Sequence, residues 1–303
     1  MLMLNQIMIL FLLMLAGLIC RKCGILTQEG SKTVSSLVVN VANPAMILSA
    51  GIVEEEAVGG TELLKLFGLA AGFYAVLICI ALLLPRLLHI GKTQRGTYQV
   101  MTIFSNIGFM GFPIISAVYG STALIYATIF LIPYNILIYT YGIRALTGSG
   151  ENQFQWKKIC NAGVIACVLT LIIYVFRISV PVMAEGTVDY LANLTAPLSM
   201  MVIGASLADM EIRELVRDRK LLLFSLIKLL IIPLIGTSVL LRMGLDETLC
   251  GVCMILLAAP VGSMTAMLAQ QYDGDYELAS RGVAVTTILF VITMPVNSFI
   301  LGI

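Results

Sequence analysis

A chain of 303 residues with 59% apolar and 12% charged content and a formal net charge of +1 lies outside the range of soluble domains, where roughly a quarter of residues are charged. It reads as a polytopic membrane protein, and its near-zero charge excludes the basic footprint that nucleic-acid binding requires. The seven cysteines, an odd number set mostly in apolar runs, give no disulfide framework. Cys20/Cys23 and Cys250/Cys253 are C-x-x-C by letter, but no second His or Cys cluster completes a metal set.

Apolar runs of about 20 residues predict ten spans, at residues 2–20, 33–53, 63–85, 97–118, 121–143, 159–180, 188–208, 221–241, 247–270 and 276–301. The first has no basic leader and no small-residue cleavage site before Arg21, so it reads as a spanning helix rather than a signal peptide. Connections are short throughout; the longest, Thr147 to Trp156 and Asp209 to Lys220, are too small for a soluble domain. Loops after odd-numbered spans carry thirteen Lys and Arg (Arg21, Lys22, Lys32, Arg86, Lys92, Arg95, Arg144, Lys157, Lys158, Arg213, Arg217, Arg219 and Lys220), the others only Lys65, Arg177 and Arg242. By the positive-inside rule the odd loops are cytoplasmic and both termini are extracytoplasmic.

Landmarks recur between the halves. Asn40 to Pro44 and Asn193 to Pro197 are both N-x-x-x-P, Pro133-Tyr134-Asn135 and Pro295-Val296-Asn297 are both P-x-N, and Pro113 in span four has a counterpart at Pro260 in span nine. Five spans per half is an odd number, so a repeat must be inverted in the membrane. The expected fold is all-α: ten transmembrane helices as two inverted five-helix repeats, residues 1–148 and 157–303, with helices four and nine broken and crossing.

The stretch Ser105-Asn106-Ile107-Gly108-Phe109-Met110-Gly111-Phe112-Pro113 places two glycines, a proline and an asparagine inside a span. Pro113 has no N–H to donate and its ring clashes with the Phe109 carbonyl. At mid-membrane such a break is tolerated only where protein or a wet cavity satisfies the freed backbone. If both breaks lie at mid-depth, each presents a half-helix N-terminus there, one starting between Phe112 and Ile114 and the other between Val261 and Met264, and an anion is favoured at both. The expected substrate-binding residues are Ser105, Asn106, Gly108, Gly111, Pro113, Pro260, Gly262, Ser263, Thr265, Lys228, Asn135, Asn297 and Asn43. The alternative for these breaks is that they only kink packed helices.

Lys228 is the one charge well inside a span. Three readings are open for it: contact with substrate, replacement of a bound cation, or snorkelling to the cytoplasmic interface. Pro233 frees a carbonyl that Lys228 is placed to reach. Glu54, Glu55 and Glu56 read as a solvated outer loop; Asp273, Asp275, Glu277 and Arg281 either gate or cap the start of span ten. His89 lies in a basic loop, not on a proton path. No Ser/His/Asp set, zinc motif or paired-acid motif occurs, so the chain does not read as an enzyme.

Asn106 to Pro113, Tyr119-Gly120, Ala259-Pro260 and Gln270 to Asp275, with ten short-looped spans, resemble the bacterial branch of the auxin efflux carrier family. The resemblance implies the fold of bile-acid/sodium symporters and sodium/proton antiporters, with a scaffold of helices one, two, six and seven and a transport domain of helices three to five and eight to ten. It implies an elevator-type carrier of small organic anions in the cell membrane, with the crossing prolines at Pro113 and Pro260, and a homodimer through helices two and seven. The third span has no interior charge after Lys65, a departure from plant auxin carriers that favours a carboxylate metabolite such as malate or malonate, or another hydrophobic acid, over auxin. No cofactor is implied; coupling to Na+, H+ or the membrane potential stays open. The rival expectation is a membrane receptor that binds a ligand without moving it.

Overall fold

The computed structural model describes residues 2–52, 60–120, 122–147, 162–208, 218–272 and 274–303. Among these, the chain forms helices joined by short turns, with no strand and one isolated bridge. The expected outer loop at Glu54 to Glu56, the basic residues Lys157, Lys158, Arg213 and Arg217, and Asp273 lie outside the described residues. Among the described residues five helices are long and apolar enough to cross a bilayer: Leu63–Leu87, Leu124–Thr147, Val182–Ala208, Arg219–Arg242 and Tyr276–Leu301.

In chain order the α-helices are α1 (Leu2–Lys22), α2 (Gln28–Leu37), α3 (Asn43–Ser49), α4 (Gly60–Leu87), α5 (Arg95–Ile103), α6 (Phe112–Tyr119), α7 (Leu124–Leu137), α8 (Ile143–Thr147), α9 (Ala162–Phe176), α10 (Val182–Asn193), α11 (Thr195–Ala208), α12 (Arg219–Leu226), α13 (Ile232–Arg242), α14 (Glu247–Ala258), α15 (Ser263–Gln271) and α16 (Tyr276–Leu301). Three of these helices have aspartate caps. The carboxylates of Asp218, Asp246 and Asp275 accept the Leu221, Leu249 and Leu278 amides at 3.0–3.1 Å. Asp275 also accepts a hydrogen bond from Gln94 at 3.2 Å, so capping is the role its geometry displays.

Proline sets the fine structure. Among the described residues four π-helical turns interrupt the helices, at Val38–Ala42, Ile107–Gly111, Ile138–Gly142 and Ile227–Ile231. Three of them end two residues before a proline: Pro44, Pro113 and Pro233. A proline cannot donate to the carbonyl four residues back and its ring collides with that carbonyl. A wider turn just ahead of it relieves the collision and keeps the chain helical. The carbonyls deprived in this way find donors elsewhere. Ser199 Oγ lies 3.0 Å from the Phe109 carbonyl, and Asn297 Nδ2 donates to the Leu229 carbonyl at 2.7 Å.

The chain divides into two compact units. The first comprises Met1–Lys65, Gly108–Ile129 and Cys160–Met210. In it α1 packs on α11 with backbones in near contact: a Cβ on Gly17 would lie 2.1 Å from the Met201 carbonyl oxygen, and one on Gly204 1.8 Å from that of Met14. Lipid gives apolar helices no hydrophobic drive to associate, and small residues that allow such close approach supply the packing instead. Thr170 Oγ1, on α9, donates to the Ile47 carbonyl of α3 at 2.9 Å.

The second unit comprises Leu66–Ile107, Phe130–Ile159 and Glu211–Ile303. Its axis is α14, buried on every face from Leu249 to Ala258, as an all-round apolar helix requires. Edge-to-face aromatic pairs brace it: Phe73 with Phe130 (5.1 Å between centroids), Tyr98 with Phe224 (5.0 Å) and Phe104 with Tyr134 (5.3 Å).

Candidate functional site

Within the second unit the two helix breaks meet. After α5 ends at Ile103 the backbone of Phe104 leaves helical geometry (φ −100°, ψ 89°), and after α14 Ala259 does the same (φ −56°, ψ 141°). The unwound residues run antiparallel as a single bridge between Ser105 and Val261. Asn106 N donates to the Pro260 carbonyl at 2.7 Å and Gly262 N to the Phe104 carbonyl at 2.9 Å. Each break thus supplies the backbone partners that the other lost on unwinding, which is what a polar interruption in an apolar surrounding requires. Val261 N is met by Thr286 Oγ1, on α16, at 3.0 Å. Thr286 escaped the sequence reading; its signal was a hydroxyl in the middle of span ten.

The first break does not fall where the proline does. Helix resumes at Ile107, as a π-turn that runs into α6, rather than between Phe112 and Ile114. Pro113 is absorbed inside a continuous helix by that turn, and the residues that unwind are Phe104 to Asn106. In span nine α15 starts at Ser263, within the expected window.

Lys228 sits in the π-turn Ile227–Ile231 and is 1% exposed. Nζ donates to Ser105 Oγ at 2.7 Å and points to the Leu257 carbonyl at 3.4 Å. Leu257 lies in the last turn of α14, where carbonyls lack helical donors and the dipole is negative, so a cation is favoured there. A buried amine held by two neutral oxygens is not snorkelling. Its hydrogen bonds go to Ser105 and Leu257, while Asn297 donates to the Leu229 carbonyl freed by Pro233.

Beside this lysine lies the opposite pole of a helix. Gly262 is the N-cap of α15 and no side chain caps it, which leaves the first-turn amides at Ser263 and Met264 without helical partners. Thr265 N turns back to the Gly262 carbonyl at 2.9 Å, and Thr265 Oγ1, fully buried, has no hydrogen-bond partner among the described residues. A Cβ on Gly262 would lie 3.1 Å from the Phe104 oxygen, 3.2 Å from the Ser105 oxygen and 3.3 Å from Tyr134 Oη. The Tyr134 hydroxyl therefore stands over the start of α15.

The structure brings together Ser105, Asn106, Pro260, Gly262, Ser263, Thr265 and Lys228. It does not bring every expected residue to them. Asn135 turns its amide to its own helix, donating to the Leu131 carbonyl at 2.9 Å. Asn297 is fully buried and bonds span eight. Gly108, Gly111, Pro113 and Asn43 belong to the first unit, where the Asn43 amide packs on Gly108, 2.9 Å from where a Cβ would stand. Among the described residues no group of three His, Cys, Asp or Glu could hold a metal ion.

Compared with known proteins, the chain matches the family described as membrane transport protein over residues 2–155 and 151–298. It is 24% identical over 301 residues to an uncharacterized transporter of Methanothermobacter thermautotrophicus, covering 98% of each chain. It is 22% identical over 311 residues to an uncharacterized transporter of Methanocaldococcus jannaschii, again with 98% of each covered. Similarity to the lysosomal cholesterol signaling protein of Mus musculus, 24% identity over 323 residues, covers 96% of this chain and 36% of the mouse protein.

Proposed function

Since the chain belongs to the membrane transport protein family, that of the auxin efflux carriers, we propose that it is a secondary carrier of small organic anions, the carboxylates, working by elevator-type alternating access. It is a multi-pass membrane protein and a transporter, not an enzyme. The observation that carries the substrate class is the buried Lys228 amine on Ser105, beside the uncapped start of α15. A carboxylate at Ser263 and Met264 meets free amides and a positive helix end, with the Thr265 and Tyr134 hydroxyls to orient it.

The antiparallel pairing of the two breaks supports the reading of ten spans as two inverted repeats. The grouping of residues 66–107, 130–159 and 211–303 in one unit supports a moving domain that takes in helix three, the first half of helix four, the second half of helix five and helices eight to ten. In that reading both termini are extracytoplasmic, the carrier is a homodimer through helices two and seven, and Lys228 stands where a coupling cation would sit, so that sodium is dispensable.

Uptake of radiolabelled malate and malonate into sealed proteoliposomes tests this. Saturable flux, equal in sodium and choline buffers and lost in Lys228→Met, is the expected result. Flux that needs sodium would overturn the role given to Lys228, and absence of flux for any carboxylate would overturn the substrate class. A sensor that binds without flux is the second reading, favoured by the signaling role named for the mouse relative. Saturable binding in detergent with no transport in vesicles would establish it.

A further inference from the structure

Asn297 is a buried polar side chain to which the carrier reading gives no task. It is fully buried on α16, its Nδ2 lies 2.7 Å from the Leu229 carbonyl, and its Oδ1 has no partner among the described residues. The Leu229 oxygen can only accept, so the amide nitrogen must face it. Leu229 is the carbonyl that Pro233 deprives, and it lies in the π-turn that carries Lys228. Asn297 thus bridges from α16 to the turn Ile227–Ile231. The same arrangement occurs independently in the first unit, where Ser199 approaches the Phe109 carbonyl freed by Pro113.

We propose that Asn297 is a positioning residue for Lys228: it supplies the N–H that Pro233 withholds from Leu229, and so holds the π-turn in the register that points Lys228 at Ser105. A π-turn differs from an α-turn by about one residue of register, or roughly 100° of side-chain direction. Regularising the turn thus swings position 228 away from Ser105 even though every helix persists. This inference rests on the carrier reading only for its consequence in transport; the geometry of Lys228 is measured separately.

Two readouts on purified protein test it: hydrogen exchange of the segment 224–236, and acylation of Lys228 by a membrane-permeant succinimidyl ester, followed by mass spectrometry. Asn297→Leu is expected to raise both rates by about tenfold, the equivalent of one buried hydrogen bond. Pro233→Ala restores a backbone N–H to Leu229. Combined with Asn297→Leu it is expected to recover the slow exchange while Lys228 stays reactive, because the turn is now α-helical. A residue that merely stabilises the fold would see both readouts recover together, and that outcome overturns the proposal. Pro233→Ala alone, which keeps Asn297 on the Leu229 carbonyl, is expected to fold and to leave Lys228 protected; a lysine that stays unreactive in Asn297→Leu overturns the proposal. Absence of carboxylate flux in wild-type vesicles would refute the carrier reading and leave these readouts interpretable.

Discussion

Gly262→Ala tests how closely the two breaks are held. Its backbone (φ −67°, ψ 135°) suits any residue, so the substitution acts through space alone. The new methyl group would meet the Phe104 and Ser105 carbonyl oxygens at 3.1 and 3.2 Å and Tyr134 Oη at 3.3 Å. The first of those oxygens accepts Gly262's own amide at 2.9 Å, so the neighbours can yield only by lengthening the bonds that join the breaks. Overpacking of this kind costs about 1–3 kcal/mol, offset by about 0.4–1 kcal/mol from the stiffer unfolded chain. A net loss of about 1–2 kcal/mol, some degrees of Tm, is expected in thermal unfolding of the solubilised protein, with transport falling more than stability. Gly72→Ala is the control: nothing lies within 4 Å of its added Cβ in α4, and helix propensity favours alanine by about 1 kcal/mol. If Gly262→Ala behaves like Gly72→Ala in both assays, the breaks are not packed as described.

Lys228→Met is expected to leave Tm unchanged or to raise it, because replacing a buried charge by an apolar side chain of similar length is often neutral or stabilising; flux should vanish, and a large fall in Tm would contradict the geometry. Ser105→Ala removes the 2.7 Å acceptor of a buried amine and should cost about 1–3 kcal/mol; adding Lys228→Met should recover most of it in a double-mutant cycle, whereas additive losses would show the pair is uncoupled. Gly204→Ala drives a Cβ to 1.8 Å from the Met14 carbonyl oxygen, and since both sides are backbone the helices must part. A loss above about 4 kcal/mol, read as failure to elute as a monodisperse species, is expected, and normal elution would refute the contact.

Periodicity and composition carried the architecture at the level of class. Runs of about 20 apolar residues marked the long helices because lipid forces a chain to satisfy its backbone within each segment, and that constraint is visible residue by residue. Proline signalled irregularity at Asn43-Pro44, Phe112-Pro113 and Ile232-Pro233, and a π-turn lies ahead of each. What proline did not reveal was the form of the irregularity. In span four the chain unwinds at Phe104 to Asn106, several residues before Pro113, because a π-turn absorbs the proline and a partner backbone is present only at Pro260 to Gly262.

The same division holds for the candidate site. Local sequence determined which residues are costly to bury: Lys228, Asn297, Ser105 and the two breaks all stood out as polar or non-helical within apolar runs. Which of them answer one another was decided by the tertiary structure. Lys228 pairs with Ser105, 123 residues away, and the carbonyl freed by Pro233 goes to Asn297, not to the lysine five residues before the proline. A donor and an acceptor distant in sequence carry no mark of their pairing until packing excludes the alternatives, so the sequence determined the needs of this protein and the fold determined how each was met.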